Sequence, residues 1–98
     1  MGMDKETIIK TVCQVCEVDV DQLKQTARTR DISDARKIIA YLLLDYGLCY
    51  SYEDAGKAVG LKRNSAYKAL VYFRDLLKIN APFRFRYESA IRILQSSE

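Results

Sequence analysis

Five residues near the middle of the chain carry the most legible chemistry: Arg63, Asn64, Ser65, Tyr67 and Lys68. Asparagine can pair bidentately with adenine, and arginine or lysine with guanine. Serine, arginine and lysine also bind phosphate oxygens. All five sit at the start of a helical pattern, where backbone N–H groups add donors for an anion. This is a set for polar recognition.

Groups that could make or break bonds are scarce. The sequence has no histidine, which excludes Ser-His-Asp and Cys-His catalysis and His-containing zinc sites within one chain. Cys13-Gln14-Val15-Cys16 is a C-x-x-C pair, and Cys49 is the one other thiol. Redox or zinc use needs an exposed thiolate pair or two further ligands. Both cysteines fall on an apolar stripe, so they are expected to be packed in the core. Asp19 and Asp21 lie before and within a short helical stretch with no acid, base or glycine loop nearby, and read as a cap and a solvated position. No Gly-x-x-x-x-Gly-Lys-Ser/Thr is present, so no P-loop ATPase is encoded here. The expectation is a chain that is not an enzyme and takes no metal, cofactor or small-molecule substrate.

The elements that must position the polar set are helices throughout. Residues 5–17 carry Ile8, Ile9, Val12, Cys13, Val15 and Cys16 at helical spacing, with Asp4 as N-cap. A short second helix is expected near Asp19, turning Val20 and Leu23 inward. Lys24 to Asp31 is polar and basic and reads as a loop. A third helix, from about Ser33 to Tyr46, has Ala35, Ile38, Ile39, Leu42, Leu43 and Tyr46 on one face. Ala40, Tyr41 and Leu44 make its middle apolar too, as in a central helix packed on several sides. Gly47 follows as its stop.

The segment 51–78 reads as a helix-turn-helix. Ser51, with Asp54 three positions on, opens a short helix ending near Val59. Gly60-Leu61-Lys62 is the turn. A longer helix is expected from about Arg63 to Ile79, burying Ala66, Ala69, Leu70, Phe73 and Leu77. Asn64, Lys68, Val71 and Asp75 then face outward, flanked by Ser65, Tyr67 and Tyr72. Ala55, Gly56, Ala58 and Gly60 supply small residues where the two helices cross. Pro82 breaks the chain, and a last helix over about 83–95 turns Tyr87, Ala90, Ile91 and Leu94 inward. Along it Phe83, Phe85 and Tyr87 alternate with Arg84 and Arg86, and Arg92 follows; aromatics are expected inward and arginines outward. The fold class is therefore all-α: one domain over 1–98, a compact bundle of about six helices containing a helix-turn-helix.

Charge is uneven. The 98 residues carry 16 basic and 13 acidic side chains, a net charge of +3. Residues 1–61 hold 8 basic and 10 acidic groups, whereas residues 62–98 hold 8 and 3. A second basic stretch, Lys24 to Lys37, contains Lys24, Arg28, Arg30, Arg36 and Lys37 against Asp31 and Asp34. Local basic density on a chain near neutrality suggests a face that meets phosphate, or simply a solvated surface. No apolar run approaches the ~18 residues of a membrane span. No secretory signal is visible, and an odd count of three cysteines suits a reducing, cytoplasmic setting.

From about Ile8 to Leu77 the chain resembles the C-terminal DNA-binding domain of the bacterial replication initiator DnaA. Val18-Asp19-Val20-Asp21-Gln22-Leu23-Lys24 is similar to that family's short helix before its basic loop. Asp34-Ala35-Arg36-Lys37-Ile38-Ile39-Ala40-Tyr41-Leu42 is similar to its "ARxIAMYL" central helix, and Asp54-Ala55-Gly56-Lys57-Ala58-Val59-Gly60 echoes its "IGxxFG". The family's recognition helix begins Gly-Arg-Asp-His-Ser/Thr-Thr-Val; here Leu61-Lys62-Arg63-Asn64-Ser65-Ala66-Tyr67 stands in its place. Ser65 is kept and Lys62 preserves a positive charge, but Arg63 replaces the Asp and Asn64 replaces the His. The resemblance implies the family's fold and phosphate scheme without its initiator-box sequence preference.

By that resemblance Arg36 and Lys62 hold phosphates, and Arg28 and Arg30 extend from the basic loop towards a minor groove. Arg63, Asn64, Ser65 and Lys68 face bases and nearby phosphate. The partner expected is double-stranded DNA, bound sequence-specifically and without ATPase activity. Replication initiation is the associated process; the residues alone leave replication, transposition and transcription open. Two other readings remain. Tyr50, Tyr52, Tyr67, Val71 and Tyr72 can form a protein-interaction or homodimer surface with no nucleic-acid binding. The basic–aromatic last helix can stack on single-stranded nucleic acid.

Overall fold

A computed structural model describes residues 3–24 and 29–96. The described residues form six α-helices and one 3₁₀ turn, with no strand among them. The order is α1 (Lys5–Cys16), a 3₁₀ turn (Val20–Lys24), α2 (Arg30–Asp45), α3 (Tyr52–Ala58), α4 (Arg63–Val71), α5 (Phe73–Ile79) and α6 (Ala81–Ser96). The all-α, helix-turn-helix-containing bundle expected from periodicity is what the chain forms.

Local capping sets most boundaries. The Asp4 carboxylate accepts the Thr7 N–H at 2.7 Å and starts α1. The Ser51 hydroxyl accepts the Asp54 N–H at 3.1 Å and starts α3. Caps of this kind contribute about 1 kcal/mol each by satisfying a donor that has no intrahelical partner. Gly47 ends α2 at φ +73°, with the Leu48 N–H on the Leu43 carbonyl at 2.8 Å and the Gly47 N–H on that of Leu44 at 3.0 Å. That pairing is a Schellman motif, whose left-handed residue favours glycine.

Helix α2 is the centre of the bundle. Ala35, Ile38, Ile39, Ala40, Leu42 and Leu43 are all fully buried. It packs on α1, α3 and α4, which is why its apolar residues extend beyond one stripe. An aromatic cluster closes the other end of the core. Tyr41 stacks on Phe73 with ring centroids 4.0 Å apart and planes 5° from parallel. Phe83 and Tyr87 of α6 meet Phe73 edge-on at 5.2 and 5.3 Å. Such pairs contribute about 0.5–1.5 kcal/mol beyond area burial.

Five sequence expectations are corrected. Helix α2 starts at Arg30, not Ser33, because the Thr29 hydroxyl accepts the Ile32 N–H at 3.3 Å and caps it earlier; Ile32 is then buried. The stretch after Asp19 is a single 3₁₀ turn that delivers Leu23 to the core and leaves Val20 45% exposed at its open start. The helix expected over 63–79 is two, divided at Tyr72, whose ψ is 10°. Phe73 is fixed against Tyr41, and the change of winding at Tyr72 leaves that neighbouring ring in solvent. The last helix begins at Ala81. The Asn80 side chain accepts the Phe83 N–H at 3.1 Å, and Pro82 sits in the first turn, where its missing N–H costs nothing. Finally, Phe85 is 68% exposed while Arg86 is half-buried in ion pairs, so aromatics and arginines do not partition as expected.

Cys13 and Cys16 are 3% and 1% exposed on the core side of α1, as their place on the apolar stripe predicts. Burial raises both thiols to about 11, from an ordinary value of 9.0. They are therefore protonated at neutral pH and poor nucleophiles. The unfolded chain ionises these thiols first, so they favour the folded state below pH 9 and lose that contribution as pH climbs towards 11. Thermal unfolding followed between pH 8 and 11 should show a falling midpoint. Cys13→Ala/Cys16→Ala should flatten that fall, and a thiol reagent at pH 8 should label the pair only after denaturant is added.

Candidate nucleic-acid interface

The site is built on one close crossing. Gly56 of α3 lies against Ala66 of α4, and a Cβ at Gly56 would stand 2.6 Å from the Ala66 Cβ. The Leu61 N–H returns to the Gly56 carbonyl at 2.8 Å and fixes the turn between the helices. Gly60 occupies that turn at φ +77°, and a Cβ there would come within 3.2 Å of the Leu23 carbonyl and the Lys24 Cα. The same glycine thus permits the reversal and the approach of the 3₁₀ turn.

With Ala66 and Leu70 buried, the opposite side of α4 is in solvent. Lys62, Arg63, Asn64, Ser65, Tyr67 and Lys68 are all exposed. Lys62 is the N-cap of α4 and makes no side-chain cap bond. The side chains of Lys62, Arg63 and Lys68 have no carboxylate partner among the described residues. The polar set read from the sequence is therefore one contiguous face at the N-terminal half of α4.

Two depressions flank that face. One lies between the start of α3 and α4 and is lined by Ser51, Tyr52, Glu53, Arg63, Asn64 and Tyr67. The rings of Tyr52 and Tyr67 meet there, with centroids 5.8 Å apart. The other brings Lys37 of α2 alongside Ser65 and Lys68, continuing towards Tyr72, Leu76 and Ile79. Lys37 thus joins the cationic face, although only its place in a basic stretch hinted at this. Tyr52, grouped with Tyr67 in the protein-interaction reading of the sequence, also lies beside Arg63 and Asn64.

The remaining predicted residues fall differently. Arg28 lies outside the described residues. Arg30 is exposed at the first residue of α2, two turns before Lys37 and on the same side of the helix. Arg36 is half-buried, and its Nε donates to the Leu23 carbonyl at 2.6 Å. It ties the 3₁₀ turn to α2, a task the sequence did not disclose. Between Arg30 and Lys37 sits the buried Asp34. Burial raises its carboxyl above the ordinary range, while Arg86, Lys37 and Arg30 pull it back.

The arrangement is a short helix, a glycine turn and a second helix whose outward face is cationic and amide-bearing. A family model described as the bacterial dnaA protein helix-turn-helix matches residues 5–68, well over half of the chain. The chain belongs to the bacterial DnaA helix-turn-helix family. A search of curated proteins finds no match to it. The match runs from the start of α1 to Lys68 and so covers the whole cationic face of α4. DnaA-like DNA binding through a helix-turn-helix is the function that goes with this family, and the geometry has the face for it. No helix among the described residues is long and apolar enough to cross a membrane.

Gly56→Ala should destabilise the fold by about 1–3 kcal/mol through overpacking, although alanine is the better helix former by about 1 kcal/mol. Urea unfolding of the two proteins measures this. Arg36→Ala should cost about 1–2 kcal/mol by leaving the Leu23 carbonyl without its charged donor, read in the same experiment.

Proposed function

We propose that the chain binds double-stranded DNA sequence-specifically, with α4 in the major groove. Arg63 and Asn64 read base edges from the first turn of α4, and Ser65 and Lys68 reach bases or adjacent phosphate. Lys62 and Lys37 hold the backbone on either side. Arg30, at the first residue of α2, meets phosphate or a minor groove. Arg36 acts mainly by holding the 3₁₀ turn in place beneath Gly60. The observation that carries the reading is that the solvent-facing side of α4, in a DnaA-type helix-turn-helix, is where the donor-rich residues stand together.

Arg63 and Asn64 replace the acidic residue and the histidine of the family signature. A donor-only guanidinium favours guanine where a carboxylate would favour cytosine. The preferred site should therefore differ from an initiator box. The chain acts as a binding module without ATPase activity, in the cytoplasm, with no cofactor. Of the three arginines in α6, Arg86 is ion-paired and Arg84 donates to the Leu77 carbonyl at 3.0 Å, so neither stands free beside the exposed Phe85 ring. This favours duplex over single-stranded binding.

A fluorescein-labelled duplex titrated at several salt concentrations tests the reading. Neutralising about 5–6 phosphates gives a slope of log K against log salt near −5, and a flat response would refute the reading. Selection of bound duplexes from a random pool should return a defined motif. Arg63→Ala and Asn64→Ala should relax it at single positions, each by about 1–3 kcal/mol of discrimination. Lys62→Ala should weaken all sequences alike and reduce the slope by about 1.

A further inference from the structure

Helix α6 lies wholly beyond the part of the chain that the family model matches, yet it reaches back to the DNA-facing side through one residue. Arg86 places Nη2 2.5 Å from Asp31 Oδ1 and Nη1 3.0 Å from Asp34 Oδ2. The two carboxylates belong to the first turns of α2, in the segment bounded by Arg30 and Lys37. Arg30, Asp34 and Lys37 follow at i, i+4 and i+7, so the buried acid interrupts a row of cations on one side of the helix. Neither Arg30 nor Lys37 is within ion-pair distance of a carboxylate among the described residues; Arg86 takes both acids instead. A fork with two parallel donors suits two acceptors one turn apart, a task that a point charge performs less well.

We propose that Arg86 is a positioning residue for DNA binding: by occupying Asp31 and Asp34, it leaves Arg30 and Lys37 available to phosphate. The inference rests on the duplex-binding reading above. Without Arg86, the two carboxylates are unpaired and lie between Arg30 and Lys37 on α2. They repel phosphate directly and compete with it for Arg30 and Lys37. Asp31 is half-exposed and carries most of that effect. Arg86 does not itself touch DNA, so its removal acts only through Arg30 and Lys37, and neutralising Asp31 restores both the affinity and the salt slope.

The test is a double-mutant cycle on the full chain, using a labelled random-sequence duplex and anisotropy at several salt concentrations. Arg86→Gln should raise Kd roughly three- to tenfold near 0.1 M salt, where the screening length is about 10 Å, with a shallower salt slope because the freed carboxylates engage Arg30 and Lys37. Asp31→Asn should improve binding several times more in the Arg86→Gln background than in the wild type, returning the double variant to within about twofold of it. Circular dichroism confirms that each variant is folded. If Arg86→Gln does not fold, Asp31→Asn/Asp34→Asn/Arg86→Gln replaces the triad with amides, and it should bind at least as tightly as the wild type with the same slope. Equal effects of Asp31→Asn in both backgrounds overturn the proposal, as does a slope that stays about 0.9 shallower than wild type once Asp31 is neutralised as well, the mark of a direct phosphate contact by Arg86. A wild-type chain that does not bind duplex at all refutes the duplex reading, whereas a wild type that binds with no coupling in the cycle refutes this inference alone.

Discussion

Gly56 lies so close to Ala66 that a Cβ at position 56 has no room. Everything the surface presents follows from that contact. It sets the separation of α3 and α4, and the Leu61 N–H on the Gly56 carbonyl then determines how the chain re-enters at Lys62. Once Ala66 and Leu70 are held against the core, the rest of α4 has one orientation available. Arg63, Asn64 and Lys68 face outward because the opposite side of their helix is committed. The cationic face of α4 is here a by-product of small residues packed closely at the crossing.

The aromatic cluster secures the same arrangement from the other end. Tyr41 lies flat on Phe73, and Phe83 and Tyr87 close around it. Phe73 opens α5 immediately after the change of winding at Tyr72, so the cluster anchors the far side of the helix-turn-helix to α2. Helix α6 supplies two of the four rings and also Arg86. A helix beyond the family's matched region is thereby tied both to the core and to the charge pattern of the interface.

Charge along α2 shows why composition alone is a poor guide to an electrostatic face. The segment 30–37 contains three arginines and lysines and two aspartates, a modest excess. In the folded chain one arginine is bonded to the Leu23 carbonyl, and both aspartates are taken by a guanidinium 52 and 55 residues away. What remains for solvent is Arg30 and Lys37. A partly buried ion-pair network of this kind contributes little net stability, so its main consequence is for which charges face outward.

The caps at Asp4 and Ser51, the stop at Gly47, the turn at Gly60 and the inward residues of α1, α2 and α4 are all legible in the sequence. Each depends on interactions within a few residues, or on a helical period that repeats locally. The polar set at 62–68 was legible for the same reason, since phasing one helix places both its faces at once. The break at Tyr72, the exposure of Phe85, the tie from Arg36 to Leu23 and the pairing of Arg86 with Asp31 and Asp34 were not legible. Each of these depends on which distant side chain arrives at a given spot, and local periodicity carries no information about that. The sequence by itself determined the helices and the faces they offer, while the tertiary structure decided which of the charged groups on those faces are already taken.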